Sequence, residues 1–508
     1  MTKQPPAATD LALPKIGSLD LSSLRAERQV EALSLQGDHE MALEGRLLES
    51  PRAASDRVLA TPRTALGQPE GQQVLHHRAG GLAASHGAGV PLVCSNGRQH
   101  ASAGSSGRVH LWEGGGGALL AACDLALAPT TNLRDKKLPE LLDAPPAWMA
   151  FDASGAVLGV FRPGVGLWLC VREGAELSQH LLESGAATSH FTYCAWSTTV
   201  PGLLAVGSDN GRVMLYSPKT GKLTTQKDGK HPGRTVSITC GDWLPDGRLA
   251  VASPQRLKVS CPIDENAEWA TFSKFYIGKM VTKIPFAQVY EKKGGYDTTP
   301  RFVAVSKATP PYVAMSLGDK VVTVMDYSGI YREEGFFIPL DYGHIVGLTW
   351  TAHEVLIIGL SNGYIVAVSA PLLMRQRKNE STNAEGRNSD SGTSAESARS
   401  MTTTRVFTHY LTAICDIDGA PAVLGDTSLK ILQLDMTRWG GDGYLSIPAD
   451  IPIQGFSMGV GVSLKAFACR AARADHEDDA PVHVIVSATD GQIYCLSLPG
   501  AGAACLGV

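Results

Sequence analysis

Residues 191–216 read FTYCAWSTTVPGLLAVGSDNGRVMLY: a short alternating strand with an aromatic end, a turn, an apolar strand, a polar turn with glycine and a closing strand. Residues 345–368, IVGLTWTAHEVLIIGLSNGYIVAV, and residues 238–259, ITCGDWLPDGRLAVASPQRLKV, repeat this order. Similar units that recur about every 50 residues indicate an array of small sheets, none of which can bury both faces alone. The sequence therefore predicts an all-β fold, a β-propeller.

Eight units of this kind can be counted along the chain. The aromatic residues that end their first strands include Phe151, Trp196, Trp243 and Trp350, at separations of 45, 47 and 107 residues. The last separation is two periods, because a degenerate fifth unit at residues 302–325 lacks the aromatic residue. Since a propeller can close with one blade shared between its termini, the sequence predicts seven or eight four-stranded blades. The other units are residues 101–112, 147–169, 411–434 and 456–496.

The turns and the tryptophans carry more local predictions. Polar turns with glycine occur at residues 105–107, 209–211, 361–363 and 489–491, and Asn-Gly or Asp-Gly favours type I′ hairpins. Strands such as LLAVG and VLIIG are apolar throughout, as expected for a sheet covered on both faces by neighbouring blades. Periodic placement of the tryptophans favours packing between blades over a ligand cage on one face.

Composition narrows the class of protein. The 508 residues are 44% hydrophobic and 19% charged, which is typical of soluble globular proteins. A formal net charge of −4 gives no electrostatic reason to expect nucleic acid or an anionic membrane as partner. No apolar run is long enough to span a membrane, and the N-terminus lacks the apolar core of a secretory signal. Ten scattered cysteines without C-x-x-C predict small buried hydrophobic side chains in a reducing, intracellular compartment.

The chain divides into an extension and a propeller. Residues 1–80 lack strand patterning and form an N-terminal extension, partly helical or disordered, with a helical pattern at residues 19–48. That helix either flanks the domain or docks onto a partner or onto the propeller. Residues 81–508 form the propeller. Low-complexity residues 375–404 predict a disordered insertion, and residues 470–481 a charged loop inside the last unit.

Several motifs resemble sites that carry chemistry, but none of them predicts a site. Gly455 to Gly459 matches G-x-S-x-G around Ser457, but the following VGVSLKAFAC alternates like a strand where a nucleophile elbow needs a helix. A hydrolase that uses Ser457 is the competing hypothesis from another class of function. The other candidates are glycines 114–117 and 164–166, interpreted as blade-to-blade loops, His76-His77, the charged run 476–479 and the glycosylation pattern at residues 379–381. We therefore predict no catalytic, cofactor-binding or metal-binding residues, no cofactor, and no enzymatic activity.

The order of the units resembles a known family. The segments that carry the resemblance are residues 203–216, 229–231 (GKH), 238–243 (ITCGDW), 343–346 (GHIV), 357–364 (IIGLSNGY) and 412–434. Together they resemble the N-terminal propeller of the WD-repeat subunits of intraflagellar transport complex A, in particular the family of intraflagellar transport protein 144 (WD repeat-containing protein 19). The resemblance covers about residues 85–500. Each motif is only moderately specific, because many propellers share a glycine hairpin and a tryptophan; their combination in order is more telling.

The resemblance implies a non-enzymatic WD40-type β-propeller that mediates protein–protein interactions in cilia or flagella and in the cytoplasm at the ciliary base. Implied partners are other proteins, namely subunits of intraflagellar transport complex A or other ciliary proteins, and not nucleic acid. The N-terminal helix and the 375–404 insertion are candidate tethers. Family members usually continue into a second propeller and a helical-repeat tail, whose contacts are not transferred to this sequence. The alternative is an axonemal or cytoplasmic WD-repeat scaffold bound to microtubule-associated proteins.

Overall fold

The computed structural model describes residues 92–498, all within one compact unit, Arg57–Val508. The gaps in this description are residues 115–117, 126–144, 185–187, 189, 226–235, 263–268, 277–296, 327–331, 376–399, 418–419, 426–427, 440–443, 453–463, 470–481 and 489–492. The predicted N-terminal extension, residues 1–80, lies outside the described residues.

The described residues form eight antiparallel sheets, each built from consecutive strands in meander order. Seven sheets have four strands, and the eighth has three strands among the described residues. We number the sheets as blades 1 to 8 along the chain. Blade 1 contains β1 (Leu92–Ser95), β2 (Gln99–Ala103), β3 (Arg108–Glu113) and β4 (Leu119–Asp124), and blade 2 contains β5 (Trp148–Phe151), β6 (Val157–Arg162), β7 (Gly166–Glu173) and β8 (Glu176–Ser184). Blade 3 contains β9 (Phe191–Trp196), β10 (Leu204–Ser208), β11 (Val213–Ser217) and β12 (Lys222–Thr225), and blade 4 contains β13 (Cys240–Trp243), β14 (Leu249–Ser253), β15 (Arg256–Pro262) and β16 (Trp269–Tyr276).

Blades 5 to 8 continue the same pattern, with short helical turns in their connections. The turns are 3₁₀ helices at Leu340–Tyr342 and Met436–Arg438 and an α-helical turn at residues 370–375. Blade 5 contains β17 (Pro300–Val305), β18 (Tyr312–Leu317), β19 (Val321–Asp326) and β20 (Arg332–Phe337), and blade 6 contains β21 (Ile345–Trp350), β22 (Val355–Leu360), β23 (Tyr364–Ser369) and β24 (Met401–Arg405). Blade 7 contains β25 (Leu411–Ile417), β26 (Ala420–Gly425), β27 (Ser428–Leu434) and β28 (Leu445–Pro452), and blade 8 contains β29 (Leu464–Cys469), β30 (Val482–Ala488) and β31 (Ile493–Leu498).

The eight blades close into a ring. The first strand of each blade contacts the first strand of the next, from β1 to β29, and β29 in turn contacts β1. Eight clusters of buried apolar side chains match the eight interfaces of such a ring, because each cluster combines side chains from two neighbouring blades. The prediction of a propeller with seven or eight blades is thereby confirmed, and the described residues form eight.

Burial explains why the central strands are apolar throughout. β14, β18 and β22 occupy the middle of their blades, and almost every side chain in them is buried. A central strand has one face against the preceding blade and one against the following blade, so neither face can be polar without a cost. The core of the protein is therefore distributed around the ring in the gaps between blades.

The recurrent tryptophans lie in these gaps, as predicted. Trp196, Trp243 and Trp350 end the first strands of blades 3, 4 and 6, and all are buried. Each indole N–H donates a hydrogen bond to a main-chain carbonyl in the preceding blade. The indole side chain therefore fills space between the blades and also provides a hydrogen-bond donor for a carbonyl across the interface. The acceptors are the carbonyl oxygens of Ala150 at 2.8 Å, Ala195 at 3.1 Å and Ala304 at 3.0 Å, respectively.

The hairpin prediction was wrong in its turn type. A type I′ turn needs positive φ at both central residues, but in the turns at 208–211 and 360–363 only the last residue, Gly211 (φ 77°) or Gly363 (φ 82°), is positive. Both glycines donate their N–H to the carbonyl three residues earlier, at 3.1 Å. This is the geometry of a type I turn followed by a left-handed glycine, in which the asparagine before the glycine keeps a right-handed φ.

Two further expectations need correction. Gly114 and the 164–166 turn lie between strands of one blade, after β3 and between β6 and β7, and not in blade-to-blade loops. The predicted disordered insertion, 375–404, ends too late, because Met401–Arg405 forms β24 and pairs with β23. Three of its residues are β-branched threonines, which favour a strand despite the low-complexity context. Residues 376–399 lie outside the described residues.

Candidate protein interaction surface

The meander gives the ring two distinct ends. All first strands run in the same direction, so the chain crosses from one blade to the next at the end where first strands begin, and the turns between second and third strands lie at that same end. We call this the crossover end. The turns between first and second strands, and between third and fourth strands, lie at the opposite end. Loops at such ends are where a rigid scaffold can present side chains to partners.

Exposed large hydrophobic side chains identify a candidate surface at the crossover end. Leu340 is 53% exposed and Tyr410 is 63% exposed, and they lie in the two crossovers on either side of blade 6. Between them lies the turn 361–363 of blade 6. We call residues 340–344, 361–363 and 406–411 the blade-6 platform. The other large exposed hydrophobic side chains in the described part of the chain, Leu119, Val171 and Val200, belong to blades 1 to 3 at the opposite end.

Hydrogen bonds from the turn hold both crossovers. Ser361 N–H donates to the carbonyl of His344 at 2.9 Å, and the His344 N–H donates back to Ser361 Oγ at 3.0 Å. The Ser361 carbonyl accepts from Leu411 N–H at 3.2 Å. On the other side of the turn, the Gly363 carbonyl accepts from two main-chain N–H groups of the second crossover. The turn therefore joins the two crossovers into one layer.

Aromatic and cationic side chains fill the space under this layer. Tyr342 is 2% exposed, and its ring lies 4.7 Å from that of Tyr364, the first residue of β23. The Arg405 guanidinium lies over the Tyr364 ring at 5.4 Å and donates from Nε to the carbonyl of Phe407 at 3.1 Å. It also donates from Nη2 to the carbonyl of Thr408. A cation over a ring that also binds two carbonyls fixes the course of the second crossover.

Two lysines complete the support. Lys430 donates from Nζ to the carbonyl of Val406 at 3.0 Å, lies 4.8 Å from the Phe407 ring centre and pairs with Asp450 at 3.2 Å. Lys320 donates from Nζ to the carbonyl of Gly343 in the first crossover, and partial burial lowers the pKa of its ammonium. Both ammonium groups are thus used to position main-chain carbonyls.

The exposed side chains of this platform suit contact with another protein. Leu340 and Tyr410 project from main chain that is already held by hydrogen bonds, so their burial by a partner costs little conformational entropy. Tyrosine is also the kind of exposed side chain that contributes strongly to protein interfaces. In the described part of the chain, no group of three or more His, Cys, Asp or Glu side chains is placed to hold a metal ion.

The candidate motifs weighed in the sequence add nothing to this surface. Ser457, His76-His77, residues 476–479 and residues 379–381 lie outside the described residues. The strand β29 begins seven residues after Ser457, and the chain enters a blade there. Sequence reasoning missed Leu340 and Tyr410, because neither residue stands in a repeat. The available signal was their position: a leucine and a tyrosine in short connections between units, where polar residues are expected.

Comparison with known proteins decides the family. Residues 112–438 match the family model described as the WDR19 first beta-propeller, which is more than half of the chain. The chain belongs to this family. The match starts at the end of β3 and reaches the turn before β28, so it includes every residue of the blade-6 platform. No curated protein sequence matches at a significant level.

Solved structures confirm the fold of this WDR19-type propeller. Sqt1 of Saccharomyces cerevisiae is 12% identical, with a TM-score of 0.52 over 82% of this chain and 96% of that chain. Sqt1 of Chaetomium thermophilum, solved bound to the N-terminus of the ribosomal protein L10, is 13% identical over 82% of this chain and 98% of that chain, also with a TM-score of 0.52. The C-terminal WD40 domain of Sif2 is 12% identical over 82% and 97%, with a TM-score of 0.52. At these identities the likeness shows the fold alone. No helix in the described residues has the length and hydropathy to cross a membrane.

Proposed function

We propose that this chain is a non-enzymatic WD-repeat scaffold of the intraflagellar transport complex A machinery, working in cilia or flagella and in the cytoplasm at the ciliary base. The observation that carries the proposal is the match of residues 112–438 to the WDR19 first beta-propeller. Its partners are other proteins, in the first place subunits of that complex. Scaffold function follows from the rigid ring, whose ends present loops to several partners at once.

We further propose that the blade-6 platform is one of the surfaces that bind a protein partner. Its support is physical: two large exposed side chains, Leu340 and Tyr410, stand on main chain that is fixed by the turn 361–363. Contact side chains on fixed loops contribute more affinity than the same side chains on mobile loops, because less entropy is lost on binding.

The test is affinity purification of the tagged full chain from ciliated cells, with mass spectrometry of the bound proteins. Subunits of intraflagellar transport complex A should be enriched over an untagged control. Detergent extraction of isolated cilia adds a second criterion, because a transport protein should leave with the soluble matrix. Retention with microtubules and recovery of axonemal proteins instead would contradict the transport assignment and favour the axonemal alternative.

A matched pair of double variants tests the platform separately. Leu340→Ala with Tyr410→Ala should reduce recovery of at least one partner by about tenfold or more, since truncation of central contact residues costs about 1–2 kcal/mol each. The control is Leu119→Ala with Val200→Ala, which removes similar exposed area (53% and 47% exposed side chains) at the opposite end. Both double variants should keep the thermal unfolding midpoint. Equal recovery by both variants would remove the platform from the proposal and leave the family assignment standing.

A further inference from the structure

Two thiols meet across the interface between blades 1 and 2. Cys123 lies on β4, the outer strand of blade 1, and Cys170 lies on β7, the third strand of blade 2. Both are free cysteines, and their side chains share one apolar cluster between the blades. Each thiol is the largest influence on the pKa of the other, so the two side chains are neighbours within this cluster. Two neighbouring thiols across an interface have the arrangement from which a disulfide forms.

A hydrogen bond fixes this arrangement. Gln179 on β8 is the direct strand partner of Cys170, and its Nε2 donates to the carbonyl of Asp124, the residue after Cys123, at 3.0 Å. The outer strands β4 and β8 also touch each other. The main chain that carries each thiol is therefore tied to the main chain of the other. A disulfide between the two cysteines would therefore join strands that are already held together.

The two thiols are not equivalent. Cys123 is half-buried, whereas Cys170 is 1% exposed. Hydrogen bonding with Cys170 lowers the pKa of the Cys123 thiol, while the same interaction and burial raise the pKa of Cys170. Reactivity follows the thiolate and its accessibility, so Cys123 is the sulfur that a small oxidant reaches first. Cys170 is then the buried neighbour that can displace the product.

We propose that Cys123 and Cys170 are a reversible redox pair, in which a hydroperoxide converts the two thiols into a disulfide that joins blade 1 to blade 2. The Cys123 thiolate attacks a peroxide oxygen, the O–O bond breaks, and sulfenic acid and water form. The Cys170 sulfur then attacks the Cys123 sulfur, the S–O bond breaks, and a second water leaves with the Cys170 proton. The two thiols lose two electrons and hydrogen peroxide gains them; a dithiol reductant reverses the change.

The disulfide should stabilise the ring at one interface. It would close a long loop of chain between the two cysteines and restrict the unfolded state more than the folded state. We expect a rise of about 3–8 °C in the unfolding midpoint of the oxidised protein.

The experiment uses the purified full chain treated with hydrogen peroxide at a few equivalents and then alkylated. Non-reducing peptide mapping by mass spectrometry should find one dominant linked pair, Cys123 with Cys170, and dithiothreitol should remove both the link and the rise in midpoint. Cys123→Ser should abolish both effects. Cys94→Ser is the matched control, because Cys94 is buried in the same cluster and should leave both effects intact.

Three results would overturn the proposal. They are a dominant link between other cysteines, oxidation of Cys123 to sulfinic acid without a link, and an unchanged thiol content at both positions. The unfolding midpoint under reducing conditions shows whether Cys123→Ser is folded. If it is not, Cys170→Ser provides an independent test of the same pair. With that variant, Cys123 should stop at the sulfenic acid, which a dimedone probe traps. None of these outcomes depends on the proposed role in intraflagellar transport.

Discussion

At the scale of single residues, one type of turn recurs between first and second strands. It ends in a residue with positive φ, which is glycine in two blades and a glutamate in a third. The turns between first and second strands in blades 2 and 4 end in Gly155 and Gly247, with φ of 73° and 83°. The same turn in blade 6 ends in Glu354, with φ of 58°, and in all three the last N–H donates to the carbonyl three residues earlier. Glu354 is the single non-glycine residue with positive φ among the described residues.

Replacement of this residue should therefore stabilise the protein. A side chain in the left-handed region costs about 1–2 kcal/mol, part of which glycine returns through the greater freedom of the unfolded chain. We expect Glu354→Gly to increase the free energy of unfolding by about 0.5–1 kcal/mol, measured by chemical denaturation. Gly247→Ala is the reverse control and should destabilise the protein by a similar amount. The atom nearest to its added Cβ would be 3.6 Å away, so the substitution causes no clash and only the positive φ is unfavourable. A destabilised Glu354→Gly would show that its side chain makes a contact worth more than the strain.

The sequence anticipated residues that recur and missed residues that do not. Trp196, Trp243 and Trp350 could be placed between blades because their period matched the units. Leu340 and Tyr410 could not, since their exposure results from where two crossovers meet a turn of blade 6. The left-handed residue was also misplaced: Asn-Gly is compatible with several turns, and only the main-chain geometry shows which residue has positive φ.

At the scale of elements, each blade packs on its neighbour through an apolar interface, and a few hydrogen bonds cross that interface. Trp243 at the end of β13 is 2% exposed and donates its indole N–H to the carbonyl of Ala195 in β9. A second bond crosses the other side of the blade, where the main-chain N–H of Val305 donates to Asp242 Oδ2 at 3.0 Å. Because these bonds lie beside buried apolar side chains, loss of either leaves an unsatisfied group in a dry interface.

Trp243→Phe tests this coupling. The variant keeps an aromatic ring but loses the donor, leaves the Ala195 carbonyl without its partner and opens a small cavity. We expect a loss of about 2–3 kcal/mol in the free energy of unfolding, from the hydrogen bond and the removed ring atoms together. Trp439→Phe, at a half-buried position after a 3₁₀ turn, serves as the control and should cost less than about 1 kcal/mol. Equal losses in the two variants would contradict a special role for the interblade hydrogen bond.

Strand prediction succeeded for strands with a continuous apolar pattern and failed for β24, which lacks that pattern. β22 and β10 are continuous apolar runs, and both are where the sequence placed them. β24, with the sequence MTTTR, has no such pattern, and its five residues are half-buried. An outer strand has only one neighbour in its sheet and partial cover from the adjacent blades, so composition alone cannot distinguish it from a polar linker.

At the scale of the whole molecule, the interface between the last blade and the first closes the ring. Between blades 8 and 1, the cluster contains Trp112, Ile485 and Ile493, with Val93 packed against them. A closed ring cannot open at this interface without exposing sheet faces on both sides, so its packing contributes to the stability of the closed form. The interface also contains an ionisable pair, one residue from each blade.

His100 on β2 is completely buried, and His483 on β30 faces it from blade 8. Neither ring nitrogen of His100 has a hydrogen bond of normal geometry among the described residues, and the nearby Gly114 carbonyl gives only slight support to a proton. Burial, reinforced by His483, lowers the pKa of His100 from 6.5 to about 4, and burial also lowers the pKa of His483. Both groups are therefore neutral in the folded ring at neutral pH, and a proton on either is unfavourable there.

Ring closure should consequently weaken in acid. The unfolded chain binds a proton at His100 with the ordinary pKa of 6.5, and the folded chain only near 4, so the contribution of His100 to stability falls as pH decreases through this window. Asp242, between blades 4 and 5, contributes in the opposite sense, because burial raises the pKa of its carboxyl to about 6. The loss reaches about 3 kcal/mol for His100, and hydrogen exchange should show it first in β1 and β30. His100→Phe, which keeps an aromatic ring but cannot titrate, should lose less of its unfolding midpoint than wild type does between pH 6.5 and 4.5. His180→Gln, at an exposed position of β8, should leave the wild-type curve unchanged. If His100→Phe retained the full acid sensitivity, the loss of stability in acid would have to come from groups other than His100 and His483.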